Sequence, residues 1–355
     1  MSSSPRLNPT RPSIREPQNR VLQISPSRHG STNDPTSSSS TNRPQLVPSP
    51  QPRYTALSLW HLYSLDAPTV AALWTVFIAR CSHVHLPWTE PAAMFLAVWM
   101  IYAADRLLDA RVLDTALLPA QPPDIEARHR FHHRYRTAFI PFLLLSSVAL
   151  AVLLHRLDPR SLHLYVLLAT LLASWMLLIH IRPQTNGATR RLPKELAVGI
   201  FFPAAVFIPT LARTTPTPTA IQILGTAATW IRPNLLPGAI LFAALCTLNC
   251  LCLYAWEHPN PRTNDPSPSS HLQAHWTTRW ATTHLTQIAL SILVACTFAS
   301  LNRALPIALP ALACSLSTAA LFALNLYRRH LSPLHLRATA DLVLLTPLLF
   351  LPVVR

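Results

Sequence analysis

Apolar runs of bilayer length dominate this chain and limit what it can fold into. Nine of them lie between residues 67 and 354, at about 67–86, 90–108, 137–155, 161–181, 195–213, 235–256, 283–302, 304–325 and 338–354. A helix needs roughly 20 apolar residues to cross the hydrocarbon of a bilayer. Inside that hydrocarbon each backbone N–H and C=O must be satisfied within the protein, which selects α-helices from segments this long. Only 12% of the residues are charged, against about 25% in soluble domains. The expectation is therefore an all-α polytopic membrane protein with nine transmembrane helices. The stretch YTALSLWHLYSL (54–65) is amphipathic and aromatic, and suits a helix lying in the interface. With five glycines in the chain, close helix contacts must rest mainly on Ala, Ser and Thr.

Residues 1–53 are of another kind. They are rich in Ser, Pro, Asn and Arg and include the run Ser37 to Ser40. Such a segment buries too little apolar surface to offset its ordering entropy, so it reads as a disordered tail preceding a membrane domain at 54–355. It has no apolar core or small-residue cleavage site of a secretory signal, and its prolines work against an amphipathic transit peptide.

The formal charge of +15 comes almost wholly from arginine, since Lys194 is the single lysine. A basic balance of this size invites a nucleic-acid reading, but the arginines flank apolar helices and form no soluble basic face. Counted over loops and helix ends, 22 positive residues fall on the side of the N-terminus and seven on the other. By the positive-inside rule the N-terminus is cytoplasmic, and a bacterial inner membrane is the expected location. The six cysteines all lie in or beside apolar runs, where they read as small buried hydrophobes; Cys250 and Cys252 lack the second pair that zinc would need.

Acidic residues number 14, so their positions carry information. Asp105 and Asp109 stand four apart at the end of the second run, and thus share one helix face. Glu257 ends the sixth run, and Asn249 lies two helical turns before it. The loop after the fourth run supplies Arg190, Arg191, Lys194 and Glu195. Carboxylates on two helix ends and a basic cluster on a third loop fit a composite site for Mg²⁺ and a polyphosphate. Mg²⁺ takes one or two carboxylates plus phosphate oxygens, and arginine forks neutralise the rest. A solvated rim of weak surface pairs is the alternative reading of the same charges.

The order of these elements resembles the UbiA superfamily of intramembrane prenyltransferases. YAADRLLDARVLD (102–114) is similar to the later part of that family's first Asp-rich motif, with Asp105 and Asp109 on its last two aspartates and Ile101 and Tyr102 on the leading positions. LDAP (65–68) resembles the opening of its first helix, and RLPKELAVGIFF (191–202) the basic stretch and glycine that begin its fifth. At the second motif Asn249, Leu253 and Glu257 hold the spacing, with one carboxylate where three are usual. The resemblance implies a nine-helix bundle with a cytoplasmic loop cap. It also implies Mg²⁺ on Asp105, Asp109 and Glu257, and a prenyl diphosphate donor bound by Arg190, Arg191 and Lys194. The prenyl group would pass to a lipid-soluble acceptor, with Tyr102, Trp99, Tyr254 and Trp256 as aromatic shelter for an allylic cation.

Other marked residues have plainer expectations. In RHRFHHRYR (128–136), Arg128, His129, His132 and His133 form a basic belt for lipid phosphate or the substrate diphosphate, with a His-metal site as the alternative. Asp66 reads as an N-cap ahead of Pro68, or as a contact to the acceptor. Arg337 and Asp341, one turn apart, read as an ion pair. His271, His275 and His284 with Trp276 and Trp280 suit an amphipathic cap helix. Two rival functions stay open. One is a degenerate relative that binds isoprenoid lipid without turnover; the other is a transporter, for which charges at mid-depth would be expected.

Overall fold

The computed structural model describes residues 55–115, 127–181, 194–214, 235–257, 276–302 and 304–354. All of them belong to one compact unit, Arg53–Arg355. The N-terminal tail and the basic residues Arg190 and Arg191 lie outside the described residues.

Twelve α-helices follow one another, and no strand occurs among the described residues. They are α1 (Ala56–Leu62), α2 (Asp66–Cys81), α3 (Thr89–Thr115), α4 (Ala127–Arg134), α5 (Arg136–His155), α6 (Pro159–Ile181), α7 (Lys194–Thr214), α8 (Leu236–Glu257), α9 (Trp276–Thr283), α10 (Leu285–Ser300), α11 (Leu305–Tyr327) and α12 (Pro333–Val343). Five helices are long and apolar enough to cross a membrane: α3, α5, α7, α8 and α11. The pairs α1–α2 and α9–α10, bent by 89° and 76°, raise that to seven if each counts as one broken span. The chain is thus an α-helical membrane protein with five to seven candidate spans among the described residues, where nine were expected. Helix α6 runs for 23 residues where the fourth span was placed.

The ninth expected span is a correction with a clear cause. Helix α12 is 11 residues long and stops at Val343, and a 3-10 turn covers Thr346–Leu349. Pro347 has no N–H, and its ring clashes with the carbonyl four residues earlier, that of Val343. The freed carbonyls find side-chain donors instead. Ser317 Oγ donates to Val343 O at 2.9 Å, and Trp74 Nε1 to Leu344 O at 2.9 Å. Thr346 Oγ1 donates in turn to Ala313 O at 3.0 Å. Broken backbone inside an apolar bundle is tolerable only with such partners.

The core gathers on α2, α7, α8, α10 and α11. Trp74 of α2 stacks on Phe242 of α8 with ring centroids 4.1 Å apart, and Phe202 and Phe207 of α7 flank the same ring. All six cysteines are free; five are buried, as expected of small hydrophobes, and Cys250 is half-buried. By contrast, α5 and α6 leave Phe142, Leu144, Leu145, Val148, Val166, Leu167 and Leu171 exposed. So much outward apolar surface has no place in water and suits contact with lipid tails.

Helices α7 and α8 approach closely at Gly199. A β-carbon there would lie 1.9 Å from Thr247 Oγ1 and 3.2 Å from Ala243 O. Thr247 Oγ1 is itself fixed by donating to Ala243 O at 2.8 Å. Gly199→Ala is therefore expected to destabilise the bundle by about 1–3 kcal/mol, the usual range for overpacking. Thermal unfolding in detergent checks this, and adding Thr247→Ala should restore part of the loss.

Candidate functional site

Two features of the local chain build the polar end of the bundle. Ser64 has φ 60°, in the left-handed region that a residue with a β-carbon seldom enters. That residue turns the chain through the 89° bend from α1 into α2, and the bend lays His61 over the start of α2. The second feature is helical phase on α3. Neighbouring residues differ by about 100° around a helix, so Asp105 and Arg106 cannot both face inward. Arg106 is buried and Asp105 is exposed.

Arg106 ties the bend together. Its Nη1 donates to His61 O at 2.7 Å and to Ser64 Oγ at 2.8 Å, and its Nη2 lies 3.5 Å from Asp66 Oδ2. His61 Nδ1 sits 2.6 Å from the same Asp66 oxygen and 3.6 Å from Asp341 Oδ2. Asp66 Oδ1 accepts from its neighbour's N–H, Ala67 N, at 2.9 Å. Asn249 of α8 donates through Nδ2 to Asp341 Oδ1 at 3.2 Å. One polar cluster thus joins α1, α2, α3, α8 and α12. Burial pushes the Asp341 carboxyl above the ordinary carboxylate range, with the nearby His61 opposing and the charge of Asp66 adding to the rise.

Several expectations change here. Asp66 is the first residue of α2 and not its cap, which is Leu65 and has no side-chain bond; its carboxylate accepts from Ala67 N–H and faces His61 and Arg106. Arg337 pairs with Glu257 of α8, and the expected Arg337–Asp341 pair is not among the ion pairs of the described residues. His132, expected in an outer basic belt, is buried, with Nε2 3.3 Å from Ser64 Oγ and its ring against Phe139. The side chains of Arg128, His129, Asp109 and Lys194 lie outside the described residues, although α4, α3 and α7 carry their backbones.

The aromatic candidates are placed as follows. Tyr102 is half-buried and packs against the main core, as does Trp256. Trp256 Nε1 donates to Asn325 Oδ1 at 2.9 Å, and Trp99 Nε1 to Tyr63 O at 3.1 Å. Tyr254 is half-buried near the end of α8. Helix α9 forms where a cap helix was expected, with Trp276 and Trp280 exposed, while His271 and His275 lie outside the described residues. Thr278 of α9 donates to Glu195 of α7 at 3.2 Å, which fixes α9 to the start of that helix.

Sequence reading missed His61, Ser64, Arg106 and Asp341 as members of one cluster. The usable signal was the rarity of acids: Asp66 and Asp341 both sit in helices beside apolar runs, where an ionised group demands a partner. A second polar contact joins the start of α3 to the end of α7, where the buried Glu90 meets Arg213 at 2.8 Å. No protein-family model, curated protein or solved structure matches the chain.

The cluster's worth to the fold is measurable. Arg106→Gln removes the positive partner of a buried carboxylate, a change that costs about 3–5 kcal/mol when no other charge moves in. A fall in thermal midpoint, larger than that of Arg160→Gln at an exposed position, is the expected result.

Proposed function

We propose that this chain is an intramembrane prenyltransferase of the UbiA kind, with Mg²⁺ and a prenyl diphosphate donor acting on a lipid-soluble acceptor. The observation that supports the reading is a polar cluster that links α3 to α8 at this end of the bundle. Arg106 of α3 and Asn249 of α8 are linked there through Asp66, His61 and Asp341 of α2, α1 and α12. An apolar bundle with outward lipid-facing helices and a cluster of charged side chains at this end suits an amphiphile whose head is anionic and whose tail is hydrocarbon. The arginine bias of the loops supports a cytoplasmic N-terminus, in a bacterial inner membrane.

Asp105 and Asp109 stand one turn apart at the outer end of α3, a pair that fits the mode in which Mg²⁺ takes one or two carboxylates and leaves the rest to phosphate and water. Glu257 is held by Arg337 and would have to exchange that partner to join them. Mg²⁺ held there would supply positive charge that neutralises the diphosphate leaving group. The chain's own part is to bind and orient. Arg190, Arg191, Lys194 and Arg128 would hold the diphosphate, and Asn249 would fix the donor's head. Tyr102 and Trp256 would line the path of the isoprenoid with apolar faces that keep water from the cation.

A second reading has its own observation. Both polar positions of the second motif are engaged within the protein, Asn249 with Asp341 and Glu257 with Arg337. That favours a relative that holds isoprenoid lipid without turnover.

One assay separates the two. Purified protein in native-lipid vesicles is given farnesyl diphosphate with Mg²⁺, and both binding and pyrophosphate release are followed. Transfer predicts Mg²⁺-dependent release that Asp105→Asn lowers at least 100-fold. Binding without release selects the second reading, and neither binding nor release rejects both. Glu257→Gln is expected to weaken Mg²⁺-dependent binding about tenfold if that carboxylate leaves Arg337 for the metal, and to leave it unchanged otherwise.

A further inference from the structure

We infer that His61, Asp66 and Asp341 form a binding site for one first-row divalent transition ion, separate from the Mg²⁺ site proposed on Asp105 and Asp109. Each of the three offers one ligand atom, and these atoms lie within 4.8 Å of one another. They come from α1, α2 and α12, so the folded bundle assembles the site and no local segment contains it.

The imidazole supplies the independent observation. His61 is buried; its Nδ1 lies 2.6 Å from Asp66 Oδ2 and 3.6 Å from Asp341 Oδ2, and its Nε2 is a buried nitrogen without a hydrogen-bond partner among the described residues. Asn249 Oδ1, on the side chain that donates to Asp341, is a further buried oxygen without a partner. Unsatisfied buried polar atoms are costly, at about 1–3 kcal/mol each. Two carboxylate oxygens and one imidazole nitrogen within 4.8 Å of one another are a donor set that a cation would satisfy.

The donor set selects the class of ion. Mg²⁺ and Ca²⁺ favour oxygen alone, whereas an imidazole with two carboxylates suits Zn²⁺, Mn²⁺, Fe²⁺ or Co²⁺. On binding, the ion would take the place between Nδ1 and the carboxylates, and any proton there would leave to solvent. The 2.6 Å separation of Nδ1 and Asp66 Oδ2 would open slightly to admit it. Arg106 does not block this. Its short bonds go to His61 O and Ser64 Oγ, at 2.7 and 2.8 Å, while its contact with Asp66 is 3.5 Å. It clamps the backbone carbonyl of His61 and so fixes where that residue stands against Asp66. Remaining coordination positions would go to water.

The test uses the full chain, purified in detergent and stripped with a chelator. Titration with Zn²⁺ by calorimetry, and with Mn²⁺ by electron paramagnetic resonance, should show a saturable site that persists in Asp105→Asn, where the carboxylate site proposed for Mg²⁺ is lost. Pulsed measurement of the Mn²⁺ complex should show nitrogen coupling from one imidazole. Asp341→Asn and His61→Gln should weaken binding at least tenfold, and His61→Gln should remove the nitrogen coupling. Asp105→Asn should leave this site unchanged while abolishing Mg²⁺-dependent diphosphate binding, so the two proposals fail separately. No saturable site in the wild-type chain, or bound Mn²⁺ without nitrogen coupling, overturns the inference; that measurement stands even if a variant does not fold. Equal affinity in both folded variants overturns it as well.

Discussion

The guanidinium of Arg106 is the contact on which the polar end of this bundle depends. A membrane protein can hold carboxylates in its interior only if opposite charge and hydrogen bonds meet them there. Arg106 meets Asp66 and also grips the carbonyl of His61 and the hydroxyl of Ser64. It therefore fixes a left-handed residue and a sharp bend, as well as neutralising an acid. His61 and Arg106 on one side and Asp66 and Asp341 on the other thus meet as partners of opposite kind, and a cluster so paired can sit at the edge of hydrocarbon where any one member alone could not.

The same logic explains the C-terminal part of the chain. Pro347 prevents α12 from continuing, and the carbonyls this frees are met by Ser317 and Trp74 from two core helices. The short helix is thereby docked where Asp341 reaches His61 and where Arg337 reaches Glu257. A continuous ninth span would have had other neighbours. The proline that ends the helix is thus one cause of the cluster's composition, through geometry and with no contact of its own to the charges.

Much of the fold was legible from hydropathy. The runs at 90–108, 137–155, 195–213, 235–256 and 304–325 appear as helices, because twenty apolar residues in lipid have few other ways to satisfy a backbone. Less of the site was legible. Asp105 and Asp109 drew attention by their spacing, yet it is Arg106, between them, that turns inward. Periodicity says which residues share a face; it does not say which face meets another helix. The pairing of Arg337 was misread for the same reason. Asp341 is one turn away along α12, but Glu257, more than seventy residues earlier in the chain, is the partner that the packing of α8 against α12 brings to it.

By itself the sequence determined that this is a helical membrane protein, where most of its helices begin and end, and that its few acids must be partnered. Those follow from the cost of exposing backbone and charge to hydrocarbon, which each segment bears locally. Only the tertiary structure decided which acid meets which base, that Ser64 bends the chain, and that His61, Asp66 and Asp341 face one another. Those outcomes belong to contacts between helices far apart in the chain, and the phase of each helix against its neighbours is set by side-chain packing that no single segment contains.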